Sequence, residues 1–96
     1  MSQPERFSLH PHARFRVIDG EGVFVLQEQG EVLVVNRVAA ALVSGVREGA
    51  SRAELVSGLV ARFEVSSEQA EQDVSALLRD LVAAGALVAQ PAEGPT

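Results

Sequence analysis

The side chains with the most chemical promise are His10 and His12, which flank Pro11. An H-x-H pair on an extended segment can offer two imidazoles to one metal ion. No third ligand is clustered with them; the next carboxylate after them is Asp19, so no metal site is expected. Carboxylates are plentiful at Glu54, Glu68, Glu71, Asp73 and Asp80. Paired acids perform acid–base catalysis when burial drives their pKa values apart. These acids fall at helix starts or on polar faces, where capping and solubility explain them. The serines lack a G-x-S-x-G context, and there is neither a phosphate-binding P-loop nor a G-x-G-x-x-G run. The chain holds no Cys, Lys or Tyr, which closes most covalent and Schiff-base chemistry. The expectation is a non-enzyme without a cofactor.

Composition narrows the partners. The 96 residues make one small domain, with 13 acids against 8 bases and a net charge of −5. Every base is Arg, and the eight are spread along the chain rather than gathered into a stripe. Nucleic-acid binding and attachment to anionic membranes both draw on a concentrated positive field, so neither is expected. No apolar run approaches the roughly 20 residues of a membrane span. The opening MSQPERFSLH lacks the apolar stretch of a secretory signal, so a cytoplasmic location is expected.

The elements that position these residues follow from periodicity. Residues 1–8 and 89–96 are polar or Pro/Gly-rich and read as disordered tails around a domain at 9–88. Three strands come first, at 13–18, 22–27 and 31–35, with a DGEG turn at 19–22 and a Gly30 turn. Connections this short make an antiparallel meander. After Asn36, a good N-cap, Val38, Ala39, Leu42, Val43 and Val46 recur at helical spacing up to Gly49. Ser51 to Glu54 is a capping box, with Leu55, Leu59, Val60 and Phe63 as the buried stripe behind it. A second box, Ser66 to Gln69, opens the longest helix, which carries Ala70, Val74, Leu77, Leu78, Leu81 and Val82 and stops at Gly85. The residues 86–88 pack or add a small strand. The fold class is α+β: a three-stranded antiparallel β-meander followed by three helices, β-β-β-α-α-α and winged-helix-like.

One feature does not fit a simple one-faced sheet. Val23-Phe24-Val25-Leu26 and Val32-Leu33-Val34-Val35 are apolar on both faces. Three short helices cover one face, which leaves the other face or the free third strand in need of cover. An apolar edge without Lys or Pro protection is an aggregation hazard unless something pairs with it. A docked peptide can add a strand there; the C-terminal segment or a homodimer partner is the alternative cover.

The His10-Pro11 start, "HPHARFRVIDGEGVFVL" and "GEVLVVN" running into Asn36, "RFEVS" at 62–66, and Asp73-Val74 with Leu77, Leu78, Leu81 and Gly85 form one pattern. In this order and these motifs the chain resembles the PqqD family. The resemblance spans about residues 10–88. It implies a module that binds the leader of a ribosomally made precursor peptide and delivers it to a modifying enzyme, such as a radical-SAM maturase, a cyclodehydratase or a leader peptidase. The leader is expected as an added antiparallel strand on the third strand, against the third helix. On this chain that implies a peptide-binding set of Glu31, Val32, Leu33, Val34 and Val35 with Asp73, Val74, Leu77, Leu78, Asp80 and Leu81. Where the family's founding group has a Pro-Glu pair before the third strand, this chain has Gln27-Glu28-Gln29-Gly30, which points to another peptide pathway than the quinone cofactor's. Two alternatives stand beside this reading. One is a small dimeric structural subunit of an enzyme complex. The other is a winged-helix DNA-binding regulator, against which the acidic third helix argues.

Overall fold

The computed structural model of the chain describes residues 5–47 and 49–91. Its order is β1 (Glu5–Leu9), β2 (Ala13–Ile18), β3 (Glu21–Leu26), β4 (Glu31–Val35), α1 (Arg37–Ser44), β5 (Ala50–Ser51), α2 (Arg52–Arg62), α3 (Ser67–Ala83) and β6 (Leu87–Pro91). The class is α+β, and its centre is the antiparallel meander β2-β3-β4 followed by three helices. The hairpin β2–β3 closes on Asp19-Gly20, both at positive φ, which is the two-residue turn that Asp-Gly favours. Pairing of Phe15 with Phe24 and of Phe24 with Leu33 puts these three side chains on one face. Gly22 lets that face close up: a Cβ there would lie 2.7 Å from both Phe15 Cε1 and Val35 Cγ2.

The edges of the domain differ from the sequence reading. Residues 5–8, expected as part of a tail, lie in β1, and 89–91 lie in β6. β1 is the centre of a second three-stranded sheet, β5-β1-β6, antiparallel to both neighbours. The cause is burial: Phe7 and Leu87 are core residues, and the pairing of Leu9 with Leu87 joins the two ends of the domain. Arg6 strengthens this sheet by donating to the Gly49 carbonyl at 3.0 Å and lying 3.6 Å from Glu54. The remaining tail residues, 1–4 and 92–96, lie outside the described residues.

The helix starts are those their caps dictate. Asn36 Oδ1 accepts from the Ala39 N–H at 2.9 Å. Ser51 and Glu54 form a complete capping box. Ser66 accepts from Gln69 N–H, but the Gln69 side chain turns forward to Asp73 at 2.9 Å, so this box is half made. α1 ends at Gly45 rather than at Gly49; Val46 still reaches the core from the turn that follows. Val38, Val60 and Val82, placed on the buried stripes by spacing, are exposed, because each sits at the margin of its stripe. α3 ends in a Schellman motif: Gly85 N–H donates to Val82 C=O, and Ala86 N–H to Leu81 C=O. Gly85 has φ +85°, and a Cβ there would also meet the Gln29 amide at 2.7 Å. Gly85→Ala should therefore cost about 1–3 kcal/mol, read as a shift in the urea midpoint at unchanged slope.

The core runs from Phe15, Phe24 and Leu26 on the meander through Leu42, Val43 and Val46 to Leu55, Leu59, Val74, Leu78 and Leu81. The capping box also leaves a titration signature. The Ser51 backbone N–H, the Arg6 charge and the Ser51 hydroxyl together hold the Glu54 carboxyl below its usual 4.5. A depressed carboxyl pKa adds stability above the unfolded value, and this is lost as pH falls through the folded value. Glu54→Gln, which can keep the box, should therefore flatten the decline of Tm below about pH 4.5, with little change near neutrality beyond loss of the charge opposite Arg6.

Candidate functional site

The meander has two edges, and they are treated differently. On β2 the Phe15 carbonyl accepts from Arg47 at 3.1 Å, and the same guanidinium lies 5.5 Å from the Phe15 ring centroid. On β4 only β3 is paired, and among the described residues no side chain or loop bonds to the outward backbone groups of Glu31–Val35. An unpaired strand edge is a template for another chain.

Side chains alternate along β4. Leu33 and Val35 point inward and pack half-buried against the core, sharing their face with Phe24 and Gly22. Glu31 shares that inner side, opposite Leu26, but is exposed. Val32 and Val34 point the other way and are 65% and 58% exposed.

The helix side of the site is resolved by burial. Val74, Leu78 and Leu81 are core residues, so no ligand touches them without opening the core. Leu77 is half-buried and packs on the margin of the core. At 100° per residue, Asp73, Leu77, Asp80 and Ala84 fall on one flank of α3. The other flank, with Ser67 and Glu71, faces Ala53, Val56 and Ser57 of α2 across a shallow cavity. The Leu77 flank is thus turned away from α2. Gln29, in the hairpin that leads into β4, donates to the Ala84 carbonyl at 3.2 Å. That bond ties the start of β4 to the C-terminal end of the same flank. No extended packing joins β4 to α3 themselves. The β4 seam is thus the free backbone edge with the half-buried Leu33 and Val35 beside it; Leu77 packs on the margin of the same core cluster, and Asp73 and Asp80 are exposed on its flank.

Gln29 is the residue that sequence reasoning missed as part of the site. Its signal is the Gln-Gly ending of the hairpin loop, but only the fold brings it to α3, 55 residues on. The histidine pair is likewise completed by the fold. His10 Nδ1 accepts from the His12 backbone N–H, and His12 Nδ1 lies 2.7 Å from Glu28 Oε2. The β2–β3 register places Glu28 there, 16 positions from His12 in the chain. Both members of that contact are more than half exposed, and among the described residues no group of three or more His, Asp or Glu side chains is placed to hold a metal ion. The cavity between α1 and α2, about 460 Å³, is lined by small and apolar residues such as Ala41, Gly45, Gly58 and Phe63, with Glu54 and Arg62 at its edge. It lies apart from the β4 seam. Among the described residues no helix is long and apolar enough to cross a membrane.

Two solved structures share this fold. TbiB1, in complex with the TbiA(beta) leader peptide, superposes with a TM-score of 0.78 at 24% identity, over 93% of this chain and 98% of its own. The lasso peptide synthetase B1 complexed with its leader peptide gives a TM-score of 0.76 at 29% identity, over 85% of this chain and 96% of its own. No curated protein matches the sequence. The family model for coenzyme PQQ synthesis protein D matches residues 17–87, from the end of β2 to the start of β6, and so takes in the Asp19-Gly20 turn, β4 and α3. The chain belongs to the PqqD family.

Proposed function

We propose that the protein is a non-catalytic binding module for the leader of a ribosomally synthesised precursor peptide. The leader lies as an added antiparallel strand on β4, with alternate side chains dropping toward Leu33, Val35 and Leu77. The observation that carries this is the unpartnered β4 edge beside the half-buried Leu33 and Val35, at a sheet whose other edge is engaged by Arg47. Strand addition draws affinity from main-chain hydrogen bonds and specificity from pockets for alternate side chains, and the seam supplies both. Two proteins of the same fold, each solved with a leader peptide, support the class of ligand.

The contact set narrows to Glu31–Val35 on the strand, with Leu77 as the helix anchor and Asp73 and Asp80 at the rim. Val74, Leu78 and Leu81 hold the helix in place from the core. The module then presents the leader to a modifying enzyme in the cytoplasm, a radical-SAM maturase, cyclodehydratase or leader peptidase. It needs no cofactor of its own. DNA is disfavoured as a partner because α3 carries Glu68, Glu71, Asp73 and Asp80 against Arg79 alone.

The test is a fluorescence-polarisation titration of labelled leader peptides encoded beside this gene. Saturable binding at micromolar or tighter concentration supports the reading. No binding to any of them, with a stable dimer in sedimentation, supports a structural subunit instead.

A further inference from the structure

The second face of the meander is not used by the seam. The register sets it out in rows: Arg14 opposite Val25 and Val25 opposite Val32, then Arg16 opposite Val23 and Val23 opposite Val34. These residues alternate with the core-facing ones, so they share the outer face. Val25 is 40% exposed, and Val32 and Val34 more so. Ile18 and Glu21, a further pair on this face, are also exposed. The face is therefore apolar at its centre, with two arginines along its β2 side and one carboxylate. A chain of net charge −5 thus carries one face of the opposite sign. Among the described residues, neither Arg14 nor Arg16 is in an ion pair.

We infer that this outer face docks the modifying enzyme, through an apolar segment of that enzyme rimmed by Asp or Glu. The inference rests on the leader-capture reading and extends it. A second copy of the chain complements the face poorly, since it brings one carboxylate, Glu21, for two arginines. A two-fold axis in the interface along the strands sets Arg14 and Arg16 over the copy's Val32 and Val34, and one across the strands sets them over the copy's arginines. Neither arrangement brings a carboxylate to each arginine, whereas an acidic partner segment does. The face is also continuous with the ligand. A strand added at β4 continues the sheet at about 4.8 Å spacing, and every second side chain of it stands on the outer face beside Val32 and Val34. The enzyme that covers this face thus contacts the docked leader directly, which couples recognition to delivery.

The experiment uses Arg14→Glu/Arg16→Glu, two strands away from the β4 edge, and, separately, Val25→Asp, one strand away, all at solvent-exposed positions, with folding checked by circular dichroism. Leader affinity is read by polarisation. Affinity for the maturation enzyme encoded in the same cluster is read by calorimetry, with and without leader. Both variants are expected to keep wild-type leader affinity and to bind the enzyme at least about tenfold more weakly. Unchanged enzyme affinity in both variants overturns the inference. So does a concentration-dependent dimer of the wild type that Val25→Asp dissolves, since the occupant is then a second copy. A wild-type protein that binds no leader counts against the leader reading itself, and is distinguished by the polarisation arm.

Discussion

Leu77→Arg and Leu33→Arg are each expected to remove measurable leader binding while leaving the protein folded. Both side chains are half-buried on the margin of the core, one on β4 and one on α3. An arginine at either position can lay its stem along the apolar surface and keep its charge in water, so the fold survives. The ligand does not. Losing the burial of one leucine against the peptide costs about 1.5–3 kcal/mol, or about 10- to 100-fold in affinity. The guanidinium also occupies the space into which an anchor side chain drops, so the loss should lie at or beyond the upper end. Polarisation titrations, with Tm as the folding control, read both effects. Two folded variants that still bind leader would show that the seam is assigned to the wrong elements.

The largest effect on stability is expected at Phe24. This ring is fully buried at the middle of β3, 4.9 Å from the Phe15 ring centroid, and opposite Leu33. Phe24→Ala removes the transfer energy of the ring and leaves a cavity, about 3–5 kcal/mol together. A domain of this size holds about 5–15 kcal/mol in total, and each kcal/mol moves Tm by about 4–8 °C. A fall in Tm of at least about 12 °C is therefore expected. The leader should partly restore it, because a ligand that binds only the folded state raises stability with its concentration. A fall of only a few degrees would place the meander outside the cooperative core.

What the sequence made legible was local. The Asp19-Gly20 turn, the Asn36, Ser51 and Ser66 caps and the Gly85 stop each depend on residues within a few positions of one another, and each is where its chemistry demands. The second sheet was not legible for the opposite reason. Glu5–Leu9 offers only Phe7 and Leu9 as apolar signals, Leu87–Pro91 ends in a proline, and Ala50–Ser51 is two residues long. Each is weak alone, and they become strands only because pairing across some 80 positions buries Phe7 with Leu87. The candidate site shows the same division. The exposed third strand was visible in its unbroken valines and leucine. The division of Val74, Leu77, Leu78 and Leu81 between core and seam was not, because they span about 100° of one helix face and only the neighbouring elements decide where that face is covered. The tie from Gln29 to Ala84 is wholly tertiary.

Amide hydrogen exchange across β4, followed by NMR with and without saturating leader peptide, tests strand addition most directly. In the free protein the outward amides of Glu31–Val35 have only β3 as a neighbour and should exchange readily. With leader bound, slowed exchange is predicted at alternate residues of β4, with smaller shifts at Leu77 and its flank. Saturable binding that leaves β4 exchange unchanged, and protects instead the cleft between α1 and α2, would contradict strand addition.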